Sequence, residues 1–307
     1  MAAISKTPLS SRRRNETIMA WVFSSPALIL LTVFLLTPFL MAIALAFTDQ
    51  RLIPNPNLPT RIIWLRNFVR MFQDEAFLRG VLNNFYFVTI VVPIQTALAL
   101  LLAILVNQKL KGMNLFRTIY FSPVVTTMVV VAIIWTFLYN PGEGLINKFI
   151  QTITLGRLGP YNWLQDTRLV FPAIMLLSIW QGVGFQMVIY LAGLQEIPTP
   201  LYEAAEVDGA SRLQQFLYVT LPQLRNTTIF VVLATTILAF KLFTQVEVMT
   251  KGGPQNASMT TIVHVVHQGW GQLKVGYASA ISLVFFLIVL GVSLLQRYFL
   301  REERAVN

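Results

Sequence analysis

The sequence contains no cysteine and only two histidines. Without cysteine the chain can form neither a disulfide framework nor a thiolate metal site. His264 and His267 are three residues apart and can share a helix face, but few external acids are available as further ligands. A metal site is therefore not expected.

Charge is also scarce, since only 12% of the residues are Asp, Glu, Lys or Arg and 55% are hydrophobic. Soluble domains usually carry about twice that charged fraction. The mean hydropathy of +0.64 also indicates that a lipid bilayer is the solvent. The net charge of +10 then belongs to lysines and arginines that flank membrane spans, and nucleic-acid binding is not expected.

Several catalytic patterns are missing as well. The stretch "TKGGPQ" has two adjacent glycines but neither the spacing nor the Lys-Ser/Thr ending of a phosphate-binding loop, so this chain is not expected to hydrolyse ATP. No Ser/His pair, Asp pair or metal-type cluster falls at membrane depth, which argues against an intramembrane enzyme.

What the sequence has instead is long apolar runs. A spanning helix needs about 20 mostly apolar residues, whereas barrel strands are about half as long. Six runs qualify and predict an all-α membrane protein with six transmembrane helices. Their approximate bounds are 19–47, 84–106, 118–139, 169–194, 228–248 and 277–296. The first run ends in Ala44-Leu45-Ala46, which resembles a signal-peptidase site, but the run is too long for a signal peptide and a retained span is favoured.

Orientation follows from basic residues next to short loops. Arg12, Arg13 and Arg14 abut the first span, and the loop after the second span has Lys109, Lys111 and Arg117 without an acid. Placing both inside predicts cytoplasmic tails at 1–18 and 298–307 around a transmembrane domain at 19–297. The loop at 195–227 then also lies in the cytoplasm.

Two further features concern the remaining loops and the third span. The stretch "NFVRMFQDEAFLRGVL" predicts an amphipathic outer helix through Phe68, Met71, Phe72 and Leu78. In the third span, Pro123 and Thr126–Thr127 predict a kink.

The loop at 195–227 has an unusually well-specified pattern. Pro200 opens a helix with Thr199 as its N-cap, and the helix runs over 201–208. Gly209 suits the left-handed position that ends a helix. Ser211 and Gln214 then form a capping box for a second helix over 212–220, which Pro222 stops. The pattern fits a docking element, or a loop that only connects two spans.

Residues within this loop, at their spacing, resemble a known motif. Glu203-Ala204-Ala205, Asp208-Gly209-Ala210 and Leu221-Pro222 resemble the EAA loop of ABC importer permeases. The stretches "NFVRMF", "RTIYFSP", "VMTKGGP" and "GYASAISL" extend the resemblance, over nearly the whole chain, to the carbohydrate branch of maltose and glycerol-phosphate type permeases.

The resemblance implies the type I ABC importer permease fold with a cytoplasmic coupling helix. It implies that Glu203, Ala204, Ala205, Asp208 and Gly209 couple the permease to an ATPase subunit dimer, which binds ATP and Mg²⁺, so this chain itself needs no cofactor. It also implies a second homologous permease, a periplasmic or extracellular solute-binding protein, and a bacterial or archaeal plasma (inner) membrane.

Polar groups inside spans are costly and therefore informative. Lys241 lies deep in the fifth run and either bonds a neighbouring helix or subunit, or lines the solute path. Phe240 and Phe243 flank it and either stack on sugar rings or pack in the core, and Gln245 offers amide hydrogen bonds.

The fourth run contains "SIWQGVGFQ", whose small residues serve either solute contacts or helix packing. By the resemblance, solute contacts map to two groups of positions. They are Ser178, Gln181 and Gly182, and Ala239, Lys241 and Leu242.

A proton-coupled secondary transporter is the alternative from another class. It would need carboxylates within its spans, but the acids here lie almost wholly in loops. The solute itself stays open among oligosaccharides, sugar alcohols, glucosides and glycerol phosphates.

Overall fold

The computed structural model describes residues 9–53, 59–108 and 111–300, with side chains from Arg13 onward. The side chain of Arg12, Lys109 and the tail from residue 301 lie outside the described residues. Within the described ranges the chain is helical, and its only β-pairing is an isolated antiparallel bridge between Thr48 and Ile62. The predicted all-α class is confirmed.

The helices follow one another along the chain and are listed here in order. α-Helices cover Leu9–Leu31, Thr37–Ala46, Arg66–Met71, Glu75–Val106, Met113–Val125, Met128–Leu138, Leu145–Ile153, Val170–Glu196, Thr199–Val207, Arg212–Gln215, Leu221–Gln223, Arg225–Phe240, Thr244–Met249, Thr261–Val266 and Val275–Phe299. π-Helical turns cover Thr32–Leu36, Phe216–Thr220 and His267–Gly271.

Five helical segments in the described ranges are long and apolar enough to cross a membrane, and a bent pair makes a sixth. The pair is Met113–Val125 and Met128–Leu138, which meet at 98°. The third span, predicted over 118–139 with a kink, therefore consists of two helices. Thr126 and Thr127 both adopt extended backbone, with ψ of 135° and 139°, so the predicted kink is a complete break.

The second span begins at Glu75, nine residues before the predicted start at 84. The Asp74 side chain caps it by accepting hydrogen bonds from the backbone N–H groups of Ala76 (3.0 Å) and Phe77 (3.4 Å). Leu78 therefore belongs to this helix, and the amphipathic outer helix is shorter than predicted, at Arg66–Met71. With 32 residues the second span is about 48 Å long, more than the hydrocarbon core of a bilayer requires.

The core lies between the second, fourth and fifth spans. Two glycines of the fourth span permit its close contacts with the second and third spans, because an added Cβ would overlap the side-chain amide of Gln95 at Gly182 and the carbonyl oxygen of Tyr120 at Gly184. The first span differs, since none of its most apolar window is buried. Its final helix, Thr37–Ala46, packs on the sixth span.

The fifth span is interrupted as well. Helix Arg225–Phe240 ends one residue before Lys241, and a second short helix begins at Thr244. A continuous helix over 228–248 was predicted. The break puts Lys241, Leu242 and Phe243 in a turn, which changes what their side chains contact.

Candidate functional site

The loop between the fourth and fifth spans begins with helix Thr199–Val207. Its N-cap is Pro198, with φ −62° and ψ 125°, so the predicted cap at Thr199 is displaced by one residue. At its other end Gly209 has φ +76° and donates to the carbonyl of Glu206 (3.0 Å), while Ala210 donates to that of Ala205 (2.9 Å). These two bonds form a Schellman motif, as a C-terminal glycine predicts.

The second helix of this loop starts with the predicted capping box, which the structure confirms. The Ser211 hydroxyl accepts from the Gln214 backbone N–H (3.4 Å), and the Gln214 side chain accepts from the Ser211 N–H (2.7 Å). Both bonds satisfy N–H groups that a helix start leaves without partners. We call residues 199–223 the elbow.

Pro222 does not stop the second helix, contrary to the prediction. The chain runs from Arg212 through a π-helical turn at Phe216–Thr220 into Leu221–Gln223, which contains Pro222 near its start. The helical path reaches the proline through a wider turn, in which the Leu221 N–H donates to the Phe216 carbonyl five residues back. The Tyr202 and Thr220 hydroxyls lie 2.9 Å apart and join the two arms of the elbow.

The outer surface of the elbow is acidic and apolar at once. Glu203, Ala204 and Asp208 are exposed, and among the described residues no salt bridge involves either carboxylate. Val207, next to Asp208 in the sequence, is 88% exposed, and Tyr218 in the second arm is 76% exposed. Exposed apolar side chains leave both arms of the elbow available for contact with a partner.

The inner side of the elbow meets the ends of two spans. A cavity of ≈ 280 Å³ lies between Ile104 and Asn107 at the end of the second span, Leu194 in the fourth span, and Tyr202 and Arg212 of the elbow. Asp74, at the other end of the second span, is about 45 Å away along that helix. The elbow therefore contacts spans that reach the opposite end of the molecule.

Lys241 lies in a supported turn between the two pieces of the fifth span. Its backbone N–H donates to Leu238 (3.1 Å), and its side chain is exposed. The carbonyls beside it are satisfied by other segments, because Asn84 donates to Phe240 (3.1 Å) and Thr260 donates to Leu242 (2.9 Å). Free backbone groups at a helix break are thereby paired, as buried polar groups require.

The side chains next to Lys241 in the sequence are buried or half-buried within this chain. Phe240 is fully buried and makes edge contacts with Phe85 (5.3 Å) and Phe285 (6.1 Å between centroids). Ala239 and Leu242 are also buried, and Phe243 is half-buried against the core. Packing within this chain therefore accounts for Phe240, whose ring has no face open to a solute. Of the five residues predicted here for the solute path, Lys241 is the one with an exposed side chain.

In the fourth span the predicted residues serve packing and cross-linking. Ser178 is buried, donates to the Ile174 carbonyl (2.8 Å) and accepts from the Gln245 amide (3.1 Å), which ties this span to the segment after the break. Gly182 contacts the Gln95 side chain. Gln181 is half-buried. The role of all three in a solute path stays a prediction.

A polar cluster at the opposite end of the second span was missed from the sequence. Asp74 accepts from Tyr277 (2.7 Å) and lies 3.0 Å from Nε2 of His264, while Nε2 of His267 lies 3.1 Å from Glu247. The two histidines thus pair with separate carboxylates. In the described ranges no group of three potential metal ligands occurs.

The pKa values of this cluster follow from its burial and contacts. Burial lowers the pKa of His264 below its usual 6.5, outweighing the opposite effect of Asp74; His267 and Arg70 lower it further. Burial raises the pKa of Asp74, but the Tyr277 hydrogen bond and His264 together bring it below 3.8. In the sequence, the available signal for Asp74 was its position as an N-cap in an Asp-x-x-Phe spacing. Its distant partners, Tyr277 and His264, left no signal in the sequence.

A bundle of membrane-spanning helices with a capped elbow between two spans defines the class of an integral-membrane transport permease. The chain belongs to the family described as binding-protein-dependent transport system inner membrane components, which matches residues 72–304.

Relatives and a solved structure resemble the chain over nearly its full length. It is 34% identical over 293 residues to the probable ABC transporter permease protein YurN of Bacillus subtilis, covering 94% of this chain and 98% of the relative. It is 31% identical over 303 residues to the lactose transport system permease protein LacF of Rhizobium radiobacter, covering 97% and 99%. A bacterial ABC transporter that imports alginate shares the fold, with a TM-score of 0.80 and 22% identity over 96% of this chain and all of that one.

Proposed function

We propose that this chain is the transmembrane permease subunit of an ATP-driven, binding-protein-dependent importer for a carbohydrate or carbohydrate-like solute. The family match and the relatives support this proposal, and one relative is a lactose system permease. Another, UgpA of Yersinia enterocolitica, is 32% identical over 281 residues, or 91% of this chain and 92% of the relative, and is a glycerol-3-phosphate permease. The proton-coupled alternative receives no support from these relatives.

One observation supports the mechanism. Hydrogen bonds hold the shape of the elbow, while its acidic and apolar side chains stay exposed. A Schellman motif, a capping box and the Tyr202–Thr220 bond hold its shape. A stiff joint transmits displacement, whereas a flexible loop would absorb it. We therefore place a separate ATPase subunit dimer on this surface and assign ATP and Mg²⁺ to that dimer.

The remaining parts of the importer belong to the same proposal. A second homologous permease completes the pore, and a solute-binding protein delivers solute at the end opposite the elbow. The elbow and both termini then lie in the cytoplasm, with the chain in the plasma (inner) membrane. ATP and the loaded solute-binding protein shift one equilibrium between inward-facing and outward-facing states, because each binds the two states with different affinity.

Reconstitution of the complete transporter in liposomes tests the proposal. Uptake is expected to require ATP on the elbow side and the loaded solute-binding protein on the other side, and to survive collapse of the proton gradient. Glu203→Lys reverses a charge on the elbow and is expected to separate ATP hydrolysis from uptake.

Glu75→Lys is the matched control, because Glu75 is also exposed but lies at the far end of the second span. Uptake driven by a proton gradient without ATP would contradict the proposal. Equal uptake by the Glu203 variant and the control would remove the elbow from the coupling mechanism.

A further inference from the structure

A basic pocket lies at the end of the molecule opposite the elbow. Its volume is ≈ 670 Å³, and its walls come from the segments between the first and second spans and from the start of the sixth. Five cationic side chains line it, namely Arg51, Arg61, Arg66, Arg70 and Lys274. We call it the basic pocket.

The pocket is attached to the ends of three spans. Asn67 is buried and donates to the carbonyls of Ala46 (2.9 Å) and Thr48 (2.8 Å) after the first span. The Arg70 guanidinium lies 4.5 Å from the ring centroid of Tyr277 in the sixth span. Tyr277 in turn donates to Asp74, which caps the second span. The apolar run of the first span ends at about residue 47 and that of the sixth begins at about residue 277, which places the pocket near the boundary between hydrocarbon and water.

Within the described ranges the positive charge of the pocket lining exceeds its negative charge. None of the five cations forms a salt bridge there. Asp49 is the one acidic side chain in the lining, and it accepts a hydrogen bond from the Arg61 backbone N–H (2.6 Å). Residues 54–58 carry no charged side chain by sequence. Like charges held together in a concave site attract an anion.

The helix that lines the pocket also has an apolar stripe that this chain does not cover. Asn67 and Met71 are buried, and Arg66 and Arg70 line the pocket. Along the stripe Leu65 is 62% exposed, Val69, which also lines the pocket, 58% and Phe72 63%, at spacings of four and three residues. Trp64 beside them is 72% exposed, and exposed tryptophan is typical of the membrane interface.

We propose that the basic pocket binds the phosphate headgroup of an anionic phospholipid. Arginine suits this ligand because its planar guanidinium donates two parallel hydrogen bonds to phosphate oxygens. The stripe Leu65–Val69–Phe72 contacts the glycerol and upper acyl region of the same lipid. The stripe favours a lipid over an acidic protein loop, since it borders the pocket at the depth where lipid begins.

Lipid titration of the intact purified transporter in detergent tests the proposal, with short-chain phosphatidylglycerol as the probe and phosphatidylcholine as the neutral comparison. Binding is measured by native mass spectrometry. Arg66→Gln with Arg70→Gln is expected to weaken phosphatidylglycerol binding about 30-fold, since each basic side chain near anionic lipid contributes about a factor of five. Phosphatidylcholine binding is expected to stay unchanged.

Arg79→Gln with Arg168→Gln is the matched control, because these two arginines line a different pocket beside the start of the second span. If the Arg66/Arg70 variant does not purify as a folded transporter, the exposed pair Arg51→Gln with Arg61→Gln is titrated in its place. Equal loss in the control would overturn the proposal.

Two further results would also overturn it. Inorganic phosphate binding as tightly as phosphatidylglycerol would make the pocket a small-anion site without an acyl component. Weakened binding of the solute-binding protein, with phosphatidylglycerol affinity unchanged, would assign the pocket to protein docking.

Discussion

Gly209 provides the sharpest test of the elbow, because its backbone conformation can be disturbed without a steric clash. Its φ is +76°, and a Cβ built on it meets no atom within 4 Å. Gly209→Ala therefore introduces only backbone strain, about 1–2 kcal/mol for a left-handed non-glycine residue. Gly209→Pro is stronger, since proline cannot adopt positive φ and lacks the N–H that donates to Glu206.

The strain has a direct consequence for coupling. A cost of 1.4 kcal/mol shifts an equilibrium tenfold, so the alanine variant spends much less time in the Schellman conformation and the proline variant none. We expect ATP hydrolysis per solute imported to rise moderately for alanine and steeply for proline, with assembly largely preserved. The measurement is the ratio of ATPase rate to uptake rate in liposomes.

Gly156→Ala is the matched control. Gly156 also has φ +76° and no atom within 4 Å of an added Cβ, but it lies in the loop between the third and fourth spans. The same strain is then applied outside the elbow, and the ratio should not change. Normal stoichiometry in Gly209→Pro, or equal effects at both glycines, would refute the reasoning.

Three further predictions concern other parts of the molecule. Asn84→Ala leaves the Phe240 carbonyl and the Thr261 N–H without partners, so thermal unfolding should show a loss of about 2–6 kcal/mol; exposed Asn114→Ala should change little. Wild-type stability should fall as the pH drops below 6.5, because the unfolded chain takes up a proton that buried His264 resists, and a pH series on His264→Gln should lack this slope. Lys241→Met should alter the uptake KM more than membrane abundance, unlike Lys148→Met at an exposed position of helix Leu145–Ile153, and an unchanged KM would assign Lys241 to packing.

Local patterns in the sequence predicted much of the helical architecture. Apolar runs identify spans because the bilayer requires every backbone group to be bonded within its own helix. Gly209, Ser211 and Gln214 predict the turn of the elbow because capping depends on residues three or four positions apart. The same short range explains the errors at Thr199 and Pro222, where several neighbouring residues can end or begin a helix.

Pairings between distant residues could not be predicted from local sequence patterns. Asn84 is an ordinary polar residue near the start of a predicted span, and only the folded chain brings it to Phe240 and Thr261. The turn at Lys241 depends on those bonds, so its exposed side chain and the burial of Phe240 beside it were not predictable. The Asp74–His264–Tyr277 cluster joins residues as far as 203 positions apart.

The sequence by itself determined the solvent, the helical class and the capped elbow, since each depends on composition or on residues within one or two helical turns. The tertiary structure alone decided the 98° break in the third span, the turn that presents Lys241 and the gathering of five cations into one pocket. These features depend on which helix ends meet, and side chains from separate spans become neighbours only after the chain has packed.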